Sequence, residues 1–510
     1  MRFLTSFGWG AVILLHVLIA LLRILYAVKG GFDLDAEEAQ YWLWSKYPAW
    51  SYYSKPPLIA YINAFTTSIL GSVAWAVRLN AIMLGSIIGL GVYHITRQLY
   101  RSKKLAFLVS AGLVILPSYH YISLFFTTDV LAVLGWLFTT YFFWKAVTEN
   151  RLKHWLLAGL SMGLGLLGKY TLLYFIPFSL LYLLFLNKKL LLTKGYYLFL
   201  LTAAVLFLPV IIWNLNNGFL GALHVAHLAG AGREFPGWSK ALIYQSEFIG
   251  GQLLLNLPLL CLLFFWKRFE IGKFLSGNFE RYVLASVGFV FLTFFFLAFY
   301  KRIRINWLLF SYFPLYIVLL RAILRSGIIY KTRSYLAVSS LLLIGLLFQP
   351  VSAGFSFPGS RIVPVKIDPF TKLMGWQQLG EFLDLEVRPH TRNNDFVILS
   401  DKYQIAAQLS FYIPGNPSTY CLPYDQRRMN QYDVWGIPSE VCEKQKQVVF
   451  IKMSPLEEDE LQLCLIPAEN ITYRTQFPVH YKGQQVKTFY IYLLNGMPEL
   501  EANEPVFKKY

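Results

Sequence analysis

Charge is scarce in this chain, and most of it carries one sign. Only 15% of the 510 residues are Asp, Glu, Lys or Arg, against 56% hydrophobic, whereas soluble domains are about 25% charged. That shortage excludes an ordinary soluble protein. Acid is scarcer still: 28 Asp and Glu stand against 46 Lys and Arg, a net charge of +18. Cysteine is nearly absent, with four residues and no Cys-x-x-Cys spacing, which removes a disulfide scaffold and a zinc ribbon. No internal repeat and no low-complexity tract occurs, which leaves out solenoids and Pro- or Gly-rich linker proteins.

What the chain does have is long apolar runs, near 9–28, 74–98, 105–116, 129–146, 154–168, 171–187, 196–213, 249–266, 283–299, 307–320 and 335–349. A span needs about 20 mostly apolar residues, so the shorter runs read as tilted, merged or partly re-entrant. The expectation is a mainly α, polytopic membrane protein with about eleven transmembrane helices. Basic residues collect in alternate connections: Arg97, Arg101, Lys103 and Lys104; Lys145, Arg151 and Lys153; Lys188, Lys189 and Lys194; Lys267, Arg268 and Lys273; Arg321, Arg325, Lys331 and Arg333. The positive-inside bias places these, with the N-terminus, in the cytoplasm. The loop 29–57 and everything after 350 then lie outside, on the periplasmic face of a bacterial inner membrane. The basic excess is this topological bias, so no nucleic-acid partner is expected. The first run lacks a small-residue cleavage pattern and reads as an uncleaved helix.

After 350 the character changes. From Asp368 the sequence reads as a soluble α/β or α+β segment, with strands at Phe396-Val-Ile-Leu399, 448–451 and 488–493 and a helix over 371–387. The division expected is a membrane domain at 1–350 and an outer domain at 351–510. Cys421, Cys442 and Cys464 fall in the latter and Cys261 in a span; on the outer side a disulfide is permitted, but three cysteines cannot all pair within one chain.

The sharpest local signal is in the loop 29–57. Asp33, Asp35, Glu37 and Glu38 crowd beside the first span, with Lys55 before a Pro-Pro pair. Ionisable groups in such a place point to function. Asp35 and Glu38 have capping-box spacing at a helix start, which leaves Glu37 without a structural task. On that helix Glu37 shares a face with Gln40, Tyr41 and Trp44. Trp42 and Trp44 read best as interfacial anchors. A carboxylate beside aromatics in a partly dry site suits a general base, because burial raises its pKa.

Elsewhere on the outer side, Lys301, Arg302 and Arg304 break the charge bias within 300–306. They are either snorkelling cations or an anion site, since guanidinium groups grip phosphate oxygens. Lys55 and Lys169 share that side. Asp129, at the outer start of the fourth span, either caps it with Thr127 or Thr128 or orients a base or binds a sugar hydroxyl. Base, phosphate clamp and greasy cavity together describe sugar transfer from a lipid-phosphate donor.

At these residues a resemblance emerges. Glu37-Glu38-Ala-Gln-Tyr-Trp-Leu-Trp44, Tyr52-Tyr53-Ser-Lys-Pro-Pro-Leu-Ile-Ala60, Ala76-Val-Arg78-Leu79 and Thr-Thr-Asp129-Val resemble bacterial members of glycosyltransferase family 39, a group related to protein O-mannosyltransferases and lipid A aminoarabinose transferases. Gly168-Lys-Tyr-Thr171, Asn306-Trp307, Gly375-Trp376 and Asn430-Gln-Tyr-Asp-Val-Trp435 extend the likeness. The resemblance implies a GT-C membrane fold, an inverting mechanism and a polyprenyl-phosphate-linked sugar as donor. It implies that the first acid of an Asp-Glu pair in the first outer loop is catalytic. Here the pair is Glu37-Glu38, so Glu stands at that position, and Asp35 or Asp33 is an alternative holder of the role. An Arg that aminoarabinose transferases carry three residues later is Gln40 here. The Lys before Pro-Pro that holds the donor phosphate is matched by Lys55.

The site residues expected are Glu37, Glu38 and Asp129 as catalytic carboxylates. Lys55, Lys169, Lys301, Arg302, Arg304 and Tyr53 are expected at the donor phosphate and lipid, and Asp35, Gln40, Tyr41 and Asn306 at the substrate. No cofactor is assigned and metal dependence is not legible; the cationic cluster can do a divalent ion's work. The acceptor expected is a glycolipid such as lipid A or lipopolysaccharide core, with protein hydroxyls second. The rivals from other classes are a flippase for lipid-linked sugars, which needs polar residues along a path through its spans, and a receptor or scaffold working through the tail.

Overall fold

The computed structural model describes residues 7–257, 259–260, 277–325, 365–391, 396–422, 429–438, 441, 446–456 and 468–496. Its α-helices are α1 (Trp9–Lys29), α2 (Ala36–Lys46), α3 (Leu58–Leu70), α4 (Ala74–Tyr100), α5 (Lys103–Gly112), α6 (Pro117–Ile122), α7 (Thr128–Glu149), α8 (Leu152–Gly168), α9 (Phe175–Leu186), α10 (Lys194–Asn216), α11 (Leu220–Leu228), α12 (Trp238–Leu255), α13 (Asn278–Leu297), α14 (Leu309–Arg325), α15 (Trp376–Phe382), α16 (Tyr403–Tyr412) and α17 (Gln431–Trp435). Among the described residues six helical runs are long and apolar enough to cross a membrane: α1, α4, α7, α10, α13 and Ile305–Arg325. The protein is an integral membrane protein.

Apolar runs and helices correspond where nothing interrupts the 3.6-residue repeat. The run 105–116 is not a span: α5 has ten residues and yields to a 3-10 turn at Leu113–Ile115. Pro117 then starts α6 at the first helical position, where its missing N–H costs nothing. The run 171–187 opens as a 3-10 turn, Tyr170–Tyr174, before α9. The run expected at 249–266 begins earlier, at Trp238, and its later part lies outside the described residues, as does 335–349. Lys267, Arg268, Lys273, Lys331, Arg333, Cys261, Cys442 and Cys464 are outside them too.

The helices pack through small residues, as they must where lipid supplies no hydrophobic drive between them. Asn150, left-handed at φ 46°, turns the chain from α7 toward α8. A Cβ on Gly135 would lie 2.6 Å from the Cα of Gly165, so the two backbones touch.

The tail forms the expected mixed unit. Five strands, β1 (Phe396–Ser400), β2 (Thr419–Cys421), β3 (Gln447–Lys452), β4 (Ile471–Tyr481) and β5 (Gln484–Asn495), lie in the order β2-β1-β3-β5-β4. β1 is parallel to β2 and β3, while β5 is antiparallel to β3 and β4. The expected helix 371–387 is broken into a 3-10 turn, α15 and a π-helical turn at Leu383–Val387. α16 packs on α2, with Trp42 edge-on to Phe411 at 4.8 Å. Trp44 stacks on Tyr52 at 4.5 Å. Both tryptophans are fully buried, which corrects their reading as interfacial anchors: Trp42 packs on Phe411 of the tail and Trp44 on Tyr52 of its own loop.

Candidate active site

The carboxylates of the acidic loop separate into distinct tasks. Asp35 caps α2, its Oδ1 accepting from Glu37 N at 2.9 Å, and Glu38 Oε2 accepts from Asp35 N at 2.9 Å, so the capping box forms. Glu38 is fully buried. It also accepts from Arg78 at 3.2 Å and from Phe126 N at 2.9 Å, bracing α2 against α4 and the segment before α7. Neither Asp35 nor Glu38 lines the cavity described below. This corrects Glu38 as a catalytic candidate and Asp35 as a substrate contact, since both Glu38 oxygens and the Asp35 cap serve the scaffold away from the cavity. Asp33 turns outward to the tail, accepting from Trp376 N at 2.6 Å.

Glu37, one position before Glu38, points the other way. It lines a cavity of about 790 Å³ with Gln40 and Tyr41 from its own helix face. Tyr41 donates to Glu37 Oε2 at 3.1 Å; burial holds the Tyr41 hydroxyl well above its usual pKa, so it remains a donor. Arg304 lies 3.7 Å from Glu37 Oε1, and the Glu37 side chain stays 40% exposed.

Lys55 and Tyr53 enter the same cavity from the loop before α3. The Lys55 ammonium has no hydrogen bond or ion pair among the described residues. Burial pushes its pKa down; the charge of Glu37 opposes this, and Lys169 adds to it. A desolvated cation without a counter-ion is a place prepared for an anion.

Asp129 forms the buried node. Thr127, not Asp129, is the N-cap of α7. Asp129 is thereby available to Lys169 at 2.6 Å and Asn306 at 2.8 Å. Lys169 reaches it because α8 ends there in extended backbone, φ −157° and ψ 133°.

The cluster 301–304 divides. Lys301 is 6% exposed, donates to Leu228 O at 2.8 Å and lies over the Trp307 ring. Arg302 is 67% exposed and pairs with Glu247 at 2.7 Å. Arg304 meets Glu37. All three line the cavity.

Sequence reasoning missed several lining residues: Tyr170, Tyr174, His224, Arg233, Tyr244, Tyr403, Met429 and Asn430. Arg233 had a signal, an arginine in a Gly-rich connection between apolar runs. Asn430 had one as well, its place in the stretch Asn430–Trp435 that carries the family likeness, whereas Tyr403 and Met429 had none, because only docking of the tail brings them to the cavity. No cluster of three or more His, Cys, Asp or Glu that could hold a metal occurs among the described residues.

Comparison with known proteins fits this geometry. Residues 54–213 match the family model described as dolichyl-phosphate-mannose-protein mannosyltransferase. A curated relative, lipid A galacturonosyltransferase RgtD of Rhizobium johnstonii, is 26% identical over 266 residues, 51% of this chain and 54% of that one. The chain thus spans about half the length of that relative. The crystal structure of ArnT from Cupriavidus metallidurans bound to undecaprenyl phosphate aligns over 95% of this chain and 98% of that one, with a TM-score of 0.62 at 12% identity. Its apo form aligns with a TM-score of 0.60 at 11% identity, over 94% of this chain and 97% of that one. The chain therefore shares the fold of the ArnT structures and, over residues 54–213, is similar to the mannosyltransferase family model.

Proposed function

We propose that the protein is an inverting glycosyltransferase that moves a sugar from a polyprenyl-phosphate-linked donor onto a lipid A-type glycolipid at the periplasmic face of the inner membrane. One observation carries this reading: a single cavity holds a half-exposed carboxylate, Glu37, and an ammonium without a counter-ion, Lys55. Glu37 takes the proton of an acceptor hydroxyl, whose oxygen attacks the anomeric carbon. The bond from that carbon to the phosphate oxygen breaks on the opposite face, and polyprenyl phosphate leaves with the electron pair. Lys55 and Arg304 stabilise the developing phosphate charge, the preorganised electrostatics that dominates most catalysis. Asp129, oriented by Lys169 and Asn306, holds a sugar hydroxyl. The acceptor named in the curated relative's description and the undecaprenyl phosphate in the ArnT structure support this choice of substrates. In this reading the membrane domain is 1–350, the N-terminus is cytoplasmic and 351–510 is periplasmic.

The test is release of free polyprenyl phosphate from a lipid-linked sugar by purified protein supplied with lipid A. Glu37→Gln is expected to cut turnover about 100-fold or more, the range of a lost general base, with expression and folding intact. Turnover equal to wild type would remove Glu37 from the role. The family description favours a second reading, transfer to a protein hydroxyl; glycosylation of a Ser/Thr peptide in place of lipid A would select it.

A further inference from the structure

Six successive backbone polar groups lead into α2, and each is held. Phe32 O accepts from Arg78 at 3.1 Å, and Asp33 O accepts from Arg78 at 2.6 Å. Asp33 N donates to Leu373 O at 2.7 Å. Leu34 N donates to the Tyr412 hydroxyl at 2.6 Å, and Leu34 O accepts from Gln408 Nε2 at 2.7 Å. Asp35 N donates to Glu38. Leu373, Gln408 and Tyr412 all belong to the tail, as does Trp376, whose N–H holds the Asp33 side chain.

A contact that served only to dock the tail would bury apolar surface, as Trp42 on Phe411 does. This one instead spends two side-chain hydrogen bonds on the backbone of Leu34, three residues before Glu37. Gln408 is 1% exposed, and its Oε1 is buried without a partner, a cost that an apolar residue of similar size avoids. Gln408 and Tyr412 share α16 with Tyr403, and Tyr403 lines the cavity. One helix therefore meets the substrate space at its start and grips the acidic loop further along.

We propose that α16 sets the position of Glu37: Gln408 and Tyr412 are positioning residues that fix the loop 33–35, and Tyr403 contacts the substrate. The inference rests on Glu37 being the base. Because α2 is a short rigid helix, a slip of the segment before its cap moves Glu37 bodily, and a misplacement of about 1 Å can cost about 100-fold in rate.

The experiment compares the full-length wild type in detergent with Tyr412→Phe, Gln408→Leu, the double variant and Tyr403→Ala. Three quantities are read: kcat and KM for a polyprenyl-phosphate-linked sugar, hydrogen exchange of amides 33–40, and thermal melting. In the double variant kcat is expected to fall about 10-fold or more, with KM within about two-fold and exchange faster at 33–40 alone. Tyr403→Ala is expected to raise KM while leaving amides 33–40 protected. Wild-type exchange and kcat in the double variant would overturn the proposal. So would a loss of activity matched by faster exchange throughout and a lowered melting temperature, which marks a general folding role. Absence of transfer by the wild type, with exchange still faster at 33–40 in the double variant, would overturn the transferase reading and leave the grip of α16 on the loop standing.

Discussion

Asp35 and Glu37 are two residues apart and share one chemical group, yet their surroundings give them opposite uses. Burial pushes the Asp35 pKa up to about 6, against the pull of the Glu37 N–H it accepts, and the charges of Glu37 and Glu38 add to the rise. The folded state therefore binds this proton more tightly than the unfolded chain, whose Asp35 titrates near 3.8. Its stabilising contribution is present below about pH 4 and is lost as pH rises through about 6. Melting measured at about pH 4.5 and about pH 7 is expected to show a difference that shrinks in Asp35→Asn, because Asn caps equally well without a charge. The same pH dependence in both proteins would contradict this account. The capping box was legible from the spacing of Asp35 and Glu38, and Glu37 stood out as the acid left over. That Glu38 spends both oxygens inside the scaffold was not legible, because Arg78 and Phe126 reach it from distant segments.

Elements carry the site through their ends. The N-terminus of α7 presents Asp129 and the C-terminus of α8 presents Lys169, so their ion pair depends on how closely the two helices approach. Gly135 and Gly165 set that approach. Gly135→Ala puts a methyl 2.6 Å from backbone, not from a flexible side chain, so the helices must part. The expected outcome is a loss of about 1–3 kcal/mol in stability, the usual cost of overpacking, with turnover reduced as the pair stretches. Unchanged melting and turnover would show that the crossing has slack. Long apolar helices and the strands β1, β3 and β5 were readable because each is a continuous apolar run. β4 was not, since this edge strand alternates half-buried with exposed residues over most of its length and carries Pro478, tolerable where it has one neighbour. α3 was missed because its 13 residues fall short of a span.

At the scale of the whole molecule, the cavity is closed by both parts of the chain: Glu37, Lys55 and Asp129 from the membrane helices and their loops, Tyr403, Met429 and Asn430 from the tail. A ligand filling it ties the two together, so under the proposed function undecaprenyl phosphate is expected to stabilise the entire protein. At about 100 times its dissociation constant the gain is about 2.7 kcal/mol, readable as a raised melting temperature. Lys55→Met is expected to abolish most of that rise at the same lipid concentration; an undiminished rise would place the phosphate elsewhere. The sequence by itself determined that this chain lives in lipid, that it carries a mixed α and β tail, and that a carboxylate and a lysine in one loop are the candidates for its chemistry. Those are matters of composition, period and short-range spacing, which act within a few residues. Which carboxylate faces the cavity, how the cations at 301–304 divide, and the tail's grip on the acidic loop were decided only in the tertiary structure. Each depends on side chains and backbone groups far apart in the chain, and burial leaves such groups no alternative but to find one another.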